Sequence, residues 1–194
     1  MERTLVDIPS SLKSMIEVFD DVLMEDTREA LYMFSSSTDY QIGWGDVSTF
    51  ETRQYPCLHH TMTDKEWETS KFIPSICSGK LMKALDGLVF DSATINLSFP
   101  SSIQFPHTHG DCKVLVYYIN PDWRNEYYGE TIFYSETMSE AEQTVLYKPN
   151  RAILFDGNTP HSIRPSSHIA PQYRFTLGVF FKEPNFIQEA KNNT

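Results

Sequence analysis

Phe105-Pro106-His107-Thr108-His109-Gly110-Asp111 runs straight into Cys112-Lys113-Val114-Leu115-Val116-Tyr117-Tyr118-Ile119-Asn120. The second half reads as a β-strand, rich in β-branched and aromatic side chains. In an extended chain, residues two apart point to the same side, so the imidazole of His109 and the carboxylate of Asp111 can reach one metal ion. A third ligand must come from elsewhere. His161, at the end of another β-like run, Ala152-Ile153-Leu154-Phe155-Asp156, is the expected partner. Two imidazoles and one carboxylate on one face of an ion leave positions open for further molecules. His107 is the ambiguous member, because 107, 109 and 111 would all face one way in an ideal strand. A bend after Pro106 would instead turn it to solvent or to a substrate channel.

Around this stretch the chain is a succession of short β-like runs: Ala93–Ser98, Ser102–Phe105, Lys113–Ile119, Thr131–Tyr134, Thr144–Tyr147, Ala152–Phe155, Ser162–Arg164 and Arg174–Phe181. Turn signals separate them at Pro100-Ser101, Asn120-Pro121-Asp122, Tyr128-Gly129, Pro149-Asn150 and Asp156-Gly157-Asn158. Short strands at this spacing predict a mainly β (α+β) fold with a jelly-roll core over about residues 89–182. Residues 1–88 supply supporting helices in the same single domain, 1–194. A strand within 13–24 leads to a helix from Glu25 or Asp26 to about Phe34, ended by Ser35-Ser36-Ser37-Thr38-Asp39. A second helix is expected from about Pro74 to Leu85, its apolar stripe formed by Ile76, Leu81, Met82 and Leu85. Residues 40–62 read as loops and short strands. His59 and His60 adjoin there, but neighbours in an extended chain face opposite ways, so they are not expected to share a metal.

Composition narrows the function. With 194 residues the chain can bury a core without crosslinks. Its net charge of −10, from 16 basic and 26 acidic side chains, argues against broad binding to a nucleic-acid backbone. No apolar run approaches the roughly 20 residues that span a bilayer. Met1-Glu2-Arg3-Thr4 lacks the basic-then-apolar layout of a secretory signal, so a cytoplasmic location is expected. Cys57, Cys77 and Cys112 are odd in number and scattered, which suits reduced, packed thiols better than a disulfide framework or a cysteine zinc site.

Arg174 lies inside the apolar run Tyr173-Arg174-Phe175-Thr176-Leu177-Gly178-Val179-Phe180-Phe181. A guanidinium there must meet an anion or bear a large desolvation cost. The bland reading is a fixed salt bridge to an internal acid. The functional one is a bidentate fork for the carboxylate of a bound small acid, with Thr176 adding a hydroxyl from the same face.

Taken together, the carboxyl-terminal half resembles the prolyl 4-hydroxylase-like branch of the iron(II)- and 2-oxoglutarate-dependent oxygenases. Phe99-Pro100 through Asp111 is similar to that family's first metal-binding strand, and Val116-Tyr117-Tyr118-Ile119-Asn120-Pro121-Asp122-Trp123 to its Tyr-Leu-Asn-x-x-Trp signature. Tyr128-Gly129-Glu130-Thr131-Ile132-Phe133 resembles Gly-Gly-Glu-x-x-Phe, and Pro160-His161-Ser162-Ile163-Arg164-Pro165 resembles the distal His-x-Val-x-Pro. Arg174-Phe175-Thr176-Leu177 takes the place of the co-substrate strand, and Val18-Phe19-Asp20-Asp21-Val22-Leu23 is similar to the opening Asp-Asp-Phe-Leu. The resemblance covers about residues 90–182 well and the first half loosely. There are departures. Phe99 stands where several relatives carry Tyr, Tyr128 replaces the first Gly of the Gly-Gly pair, and the span from His161 to Arg174 is longer than usual.

The resemblance implies Fe(II) on His109, Asp111 and His161, with 2-oxoglutarate as co-substrate. Its far carboxylate would meet Arg174, Tyr118 and Thr176, dioxygen would be consumed, and ascorbate would be supportive. A hydroxylase acting on a C–H bond of peptidyl proline is the expectation, with a free amino acid or another small molecule as the alternative substrate. A cupin-like metal site built on His107-x-His109 is a further alternative, but it needs a nearby Glu that residues 112–116 do not hold. A non-catalytic 2-oxoglutarate or metal sensor is another. Tyr40, Trp44, Arg53, Tyr55 and His59 are candidates for a substrate wall, with ordinary packing as the competing reading. Trp123 and Tyr127 lie either on a lid or beside the sheet.

Overall fold

A computed structural model describes residues 16–43 and 57–183. In chain order these form β1 (Glu17–Phe19), α1 (Glu25–Ser37), β2 (Gln41–Ile42), β3 (Leu58–Thr61), α2 (Asp64–Ser70), a 3-10 turn at Ile73–Ser75 and α3 (Gly79–Ala84). Then come β4 (Val89–Ser98), β5 (Lys113–Tyr118), β6 (Thr131–Tyr134), β7 (Ala141–Val145), β8 (Ala152–Asp156), β9 (His161–Ile163) and β10 (Arg174–Lys182). The strands make two antiparallel sheets, one of seven strands in the order β1-β8-β5-β10-β4-β3-β2 and one of three in the order β7-β6-β9. Face to face, they form the jelly-roll core expected from the strand spacing.

β10 explains why its sequence is apolar almost without interruption: both of its faces are covered. Phe175, Leu177, Val179 and Phe181 join Leu31, Phe72 and Leu81 of the helical layer in one core. The alternate residues Arg174, Thr176, Gly178 and Phe180 point the other way, toward the smaller sheet, where Val114, Tyr118, Phe133, Val145, Tyr147 and Phe155 make a second core. Each large apolar side chain so buried contributes on the order of 1.5–3 kcal/mol. The helices therefore brace one face of the larger sheet, and the second core lies between the two sheets. Among the described residues, no helix is long and apolar enough to cross a membrane.

Three local expectations are corrected, and one helix is added. The serine run does not end α1, because the Ser35, Ser36 and Ser37 hydroxyls each donate 2.8 Å bonds to the carbonyls of Leu31, Tyr32 and Met33 and ride the helix to its end. The single helix expected over 74–85 is split. Ile76 pairs with Leu23 and Cys77 N–H donates to Val22 O, so the chain is extended there before Ser78 caps α3. The missed helix α2 is announced by a capping box, Thr63 and Glu66 exchanging hydrogen bonds. Finally, Ser102–Phe105 forms no strand. Pro106 has no N–H to give a ladder, and only His107 makes an isolated pairing.

Asn150 ties the two halves together. Its Oδ1 accepts from Leu23 N–H at 2.8 Å and from the Tyr117 hydroxyl at 3.0 Å, while its Nδ2 donates to Leu23 O at 3.1 Å. Its φ of 60° is a left-handed conformation that Asn tolerates. Asn150→Ala leaves buried donors and an acceptor without partners, and is expected to cost about 2–4 kcal/mol in urea-induced unfolding.

Candidate active site

The site is built where the 105–109 segment meets β9. His107 N–H donates to His161 O and His161 N–H to His107 O, both at 3.0 Å, so the two backbones pair like a strip of sheet. His109 N–H donates to Gly157 O at 2.7 Å and fixes the next turn. The three imidazoles converge: ring centroids lie 4.9 Å apart for His107 and His109, 4.5 Å for His107 and His161, and 5.0 Å for His109 and His161. One ring nitrogen from each lies within 4.8 Å of the others. Phe155 and Phe180 wall the cluster, with centroids 4.7 Å from His161 and 5.0 Å from His109.

The chemistry of these donors suits a divalent metal. Nδ1 of His107 lies 2.9 Å from Phe105 O, and Nδ1 of His161 lies 2.9 Å from Thr159 O. A carbonyl accepts only from a protonated Nδ1, so each ring keeps its lone pair on Nε2, the arrangement that orients ligating histidines. Although His109 is exposed on one side, the packed surroundings of its ring, with the His107 ring beside it, push its pKa down to about 4. Burial pushes His161 down to about 3, helped by the other two imidazoles. Both are neutral at physiological pH, and protons compete with a metal for them only in acid.

Asp111 is not in this group. Its exposed carboxylate accepts a 2.7 Å bond from Asn158 Nδ2. The reason lies in Gly110, whose φ of 78° breaks the extended chain between the two positions. The two-residue alternation therefore holds for 107 and 109 and fails for 109 and 111. Among the described residues it is His107, rather than Asp111, that stands with His109 and His161 in the converging group.

Arg174 stands at the other end of the inter-sheet space and is only 1% exposed. Its Nε and Nη2 groups both donate to Gly129 O, at 3.1 and 2.8 Å, and its guanidinium lies over the Tyr147 ring at 4.8 Å. Gly129 must be glycine, because a Cβ there would meet Arg174 Nε at 2.9 Å and its φ is 83°. Among the described residues no carboxylate pairs with Arg174, and no acceptor takes its remaining three N–H groups. Burial lowers its pKa. The internal salt bridge, the bland reading of this arginine, is not formed among the described residues.

Strand register brings together a row of side chains beside it. Tyr118, Thr176, Asn96, His59 and Gln41 stand opposite one another in turn across β5, β10, β4, β3 and β2. The Tyr118 hydroxyl is 2.8 Å from Thr131 Oγ1, and burial raises its pKa. Ser98, buried and opposite Arg174, and Asn96, opposite Thr176, escaped the sequence reading. Counting by twos back from Arg174's partner would have found both. Phe99 points outward against Tyr173.

The remaining candidates separate. Tyr40 packs on the helical side, its hydroxyl donating to Ser35 O at 2.7 Å and its ring stacked on Phe175. His59 is buried in the row just described, whereas His60 faces the helices near Thr38 and Glu66. Trp44, Arg53 and Tyr55 lie outside the described residues. Trp123 and Tyr127 are buried beside the sheet rather than forming a lid, with Trp123 Nε1 donating to Tyr128 O at 2.7 Å.

The two stacked antiparallel sheets give this chain the fold seen in solved iron(II)- and 2-oxoglutarate-dependent oxygenases. Solved structures bear this out. The prolyl-4-hydroxylase of Pseudomonas putida superposes with a TM-score of 0.65 at 14% identity, over 88% of this chain and 94% of its own. The viral collagen prolyl hydroxylase of Paramecium bursaria Chlorella virus-1, in its 2OG complex, gives 0.61 at 14% identity, over 87% and 96%. HygX from Streptomyces hygroscopicus, with nickel and 2-oxoglutarate bound, gives 0.61 at 8% identity, over 88% and 84%. No protein-family model and no curated protein matches the chain.

The three-imidazole geometry makes a direct test. His107→Ala and His161→Ala are each expected to lower Co(II) affinity by well over ~10-fold, the lower end of what loss of a mere supporting partner costs. Asp111→Ala is expected to stay within about twofold, in a chelator competition titration.

Proposed function

We propose that the chain is an Fe(II)- and 2-oxoglutarate-dependent dioxygenase that hydroxylates a C–H bond, with peptidyl proline as its substrate. One observation carries the reading: a buried guanidinium with no acid partner among the described residues lies on the same inner sheet face as three converging imidazoles. Such a cation needs an anion, and a dicarboxylate that also reaches a metal would supply it.

In this reading His107, His109 and His161 hold the ferrous ion through nitrogen donors, an arrangement that also suits Co, Ni or Zn. The metal, the diacid and dioxygen supply the oxidising chemistry. The chain supplies placement. Arg174 takes the far carboxylate in a fork already aimed by Gly129 O, and Thr176 adds a hydroxyl from the same strand face. Phe133 and Phe155 pack against the His161 ring and Phe180 against the His109 ring, which fixes their orientation. The proline assignment leans on the two prolyl hydroxylases of like fold, and a cytoplasmic location belongs to the same proposal.

Incubation with Fe(II), ascorbate and 2-oxoglutarate should yield succinate. Mass spectrometry of proline-rich peptides should find one added oxygen atom, and free amino acids serve as the competing substrates. Arg174→Ala is expected to raise the 2-oxoglutarate requirement by about tenfold or more, as loss of a buried charged hydrogen-bond partner does. Normal saturation by that variant would remove Arg174 from the site.

A further inference from the structure

The acid nearest in sequence to the Arg174 subsite is Glu130, which follows the very carbonyl that Arg174 holds. Glu130 is only 7% exposed, and its negative charge is felt at Arg174. Left alone, it would oppose any incoming dicarboxylate. It is not left alone. Arg164 Nη1 donates to Glu130 Oε1 at 2.8 Å, and the Arg164 N–H donates to Glu130 O at 2.9 Å. The Arg164 guanidinium is itself held, 3.6 Å above the centre of the Tyr128 ring. Tyr128 offers that ring from a strained backbone, φ 59° and ψ −144°, a region that glycine occupies far more readily. Ring, guanidinium and carboxylate thus form a small outer stack at the back of the Arg174 pocket.

We propose that Arg164, seated on the Tyr128 ring, cancels the charge of Glu130 and so leaves Arg174 as an unopposed anion subsite. Arg164 is on this view a positioning residue that sets co-substrate affinity without touching the co-substrate. The geometry gives the arrangement a purpose that simple surface pairing lacks. Glu130 is too buried to be screened by solvent, and in such surroundings an uncompensated charge acts over several ångströms. It also accounts for a tyrosine at a position better suited to glycine, since glycine would give the guanidinium nothing to lie on.

The inference rests on the 2-oxoglutarate reading, and a charge-rescue series separates the two. 2-Oxoglutarate is titrated calorimetrically into anaerobic Fe(II)-loaded protein. Arg164→Ala is expected to weaken binding by about tenfold, the scale of one unscreened charge at this depth. Arg164→Ala combined with Glu130→Gln is expected to return to within about threefold of the parent protein, because the opposing charge is gone. Glu130→Gln alone should bind at least as tightly as the parent, and it tests the idea even if the arginine variant fails to fold. No 2-oxoglutarate binding by the parent protein would overturn the functional reading and this inference with it. Binding by the parent that is unchanged in Arg164→Ala, not rescued in the double variant, or weakened by Glu130→Gln would overturn the inference alone.

Discussion

Two reciprocal backbone hydrogen bonds between His107 and His161 hold the site in being. They join a segment that precedes β5 to the strand that follows β8, and they do so at the residues whose rings must meet. Main-chain pairing fixes Cα positions far more tightly than side-chain packing could, so the two rings are brought together from the backbone outward. The carbonyls of Phe105 and Thr159 then choose the tautomers, each from two residues upstream of the ring it orients. Position and tautomer are both set by the backbone.

The far end of the pocket follows a different logic. Arg174 is surrounded by Tyr118, Tyr147, Gly129 and Trp123, groups that orient a guanidinium but cannot neutralise it. A protein with about 5–15 kcal/mol of net stability does not keep an unpaired buried cation without cost. The helical layer on the outer face of the larger sheet makes this tolerable, because Phe175, Leu177 and Val179 anchor the same strand in a large apolar core. The strand is stable through one face and reactive through the other.

How far the sequence could be read depended on whether a feature was local. The jelly roll was legible because strand length and turn residues repeat along the chain, and Arg174 was legible because a charge inside Tyr173-Arg174-Phe175-Thr176-Leu177 breaks a plain pattern. Choosing between His107 and Asp111 was not possible from spacing, since both stand two residues from His109. The positive φ at Gly110, which sends His109 and Asp111 on different courses, is not written in the spacing. Ser98 and Asn96 were hidden for a related reason, their facing being set by pairing with β10 rather than by neighbours in the chain. The Arg164–Glu130 pair depends on β6 lying against β9, which no stretch of letters displays. In the helical half, the serine run misled because the hydroxyls serve the helix instead of leaving it.

The larger sheet ends, among the described residues, in very short strands: β1 has three residues and β2 two. A sheet rim invites another molecule's main chain to add itself as a further rung, and the strength of that invitation grows with the number of rungs on offer. Stubs this brief present almost no template for such self-association. The surplus of negative charge works in the same direction, holding copies of the chain apart in solution. The larger sheet thereby offers little rim for a second sheet to extend.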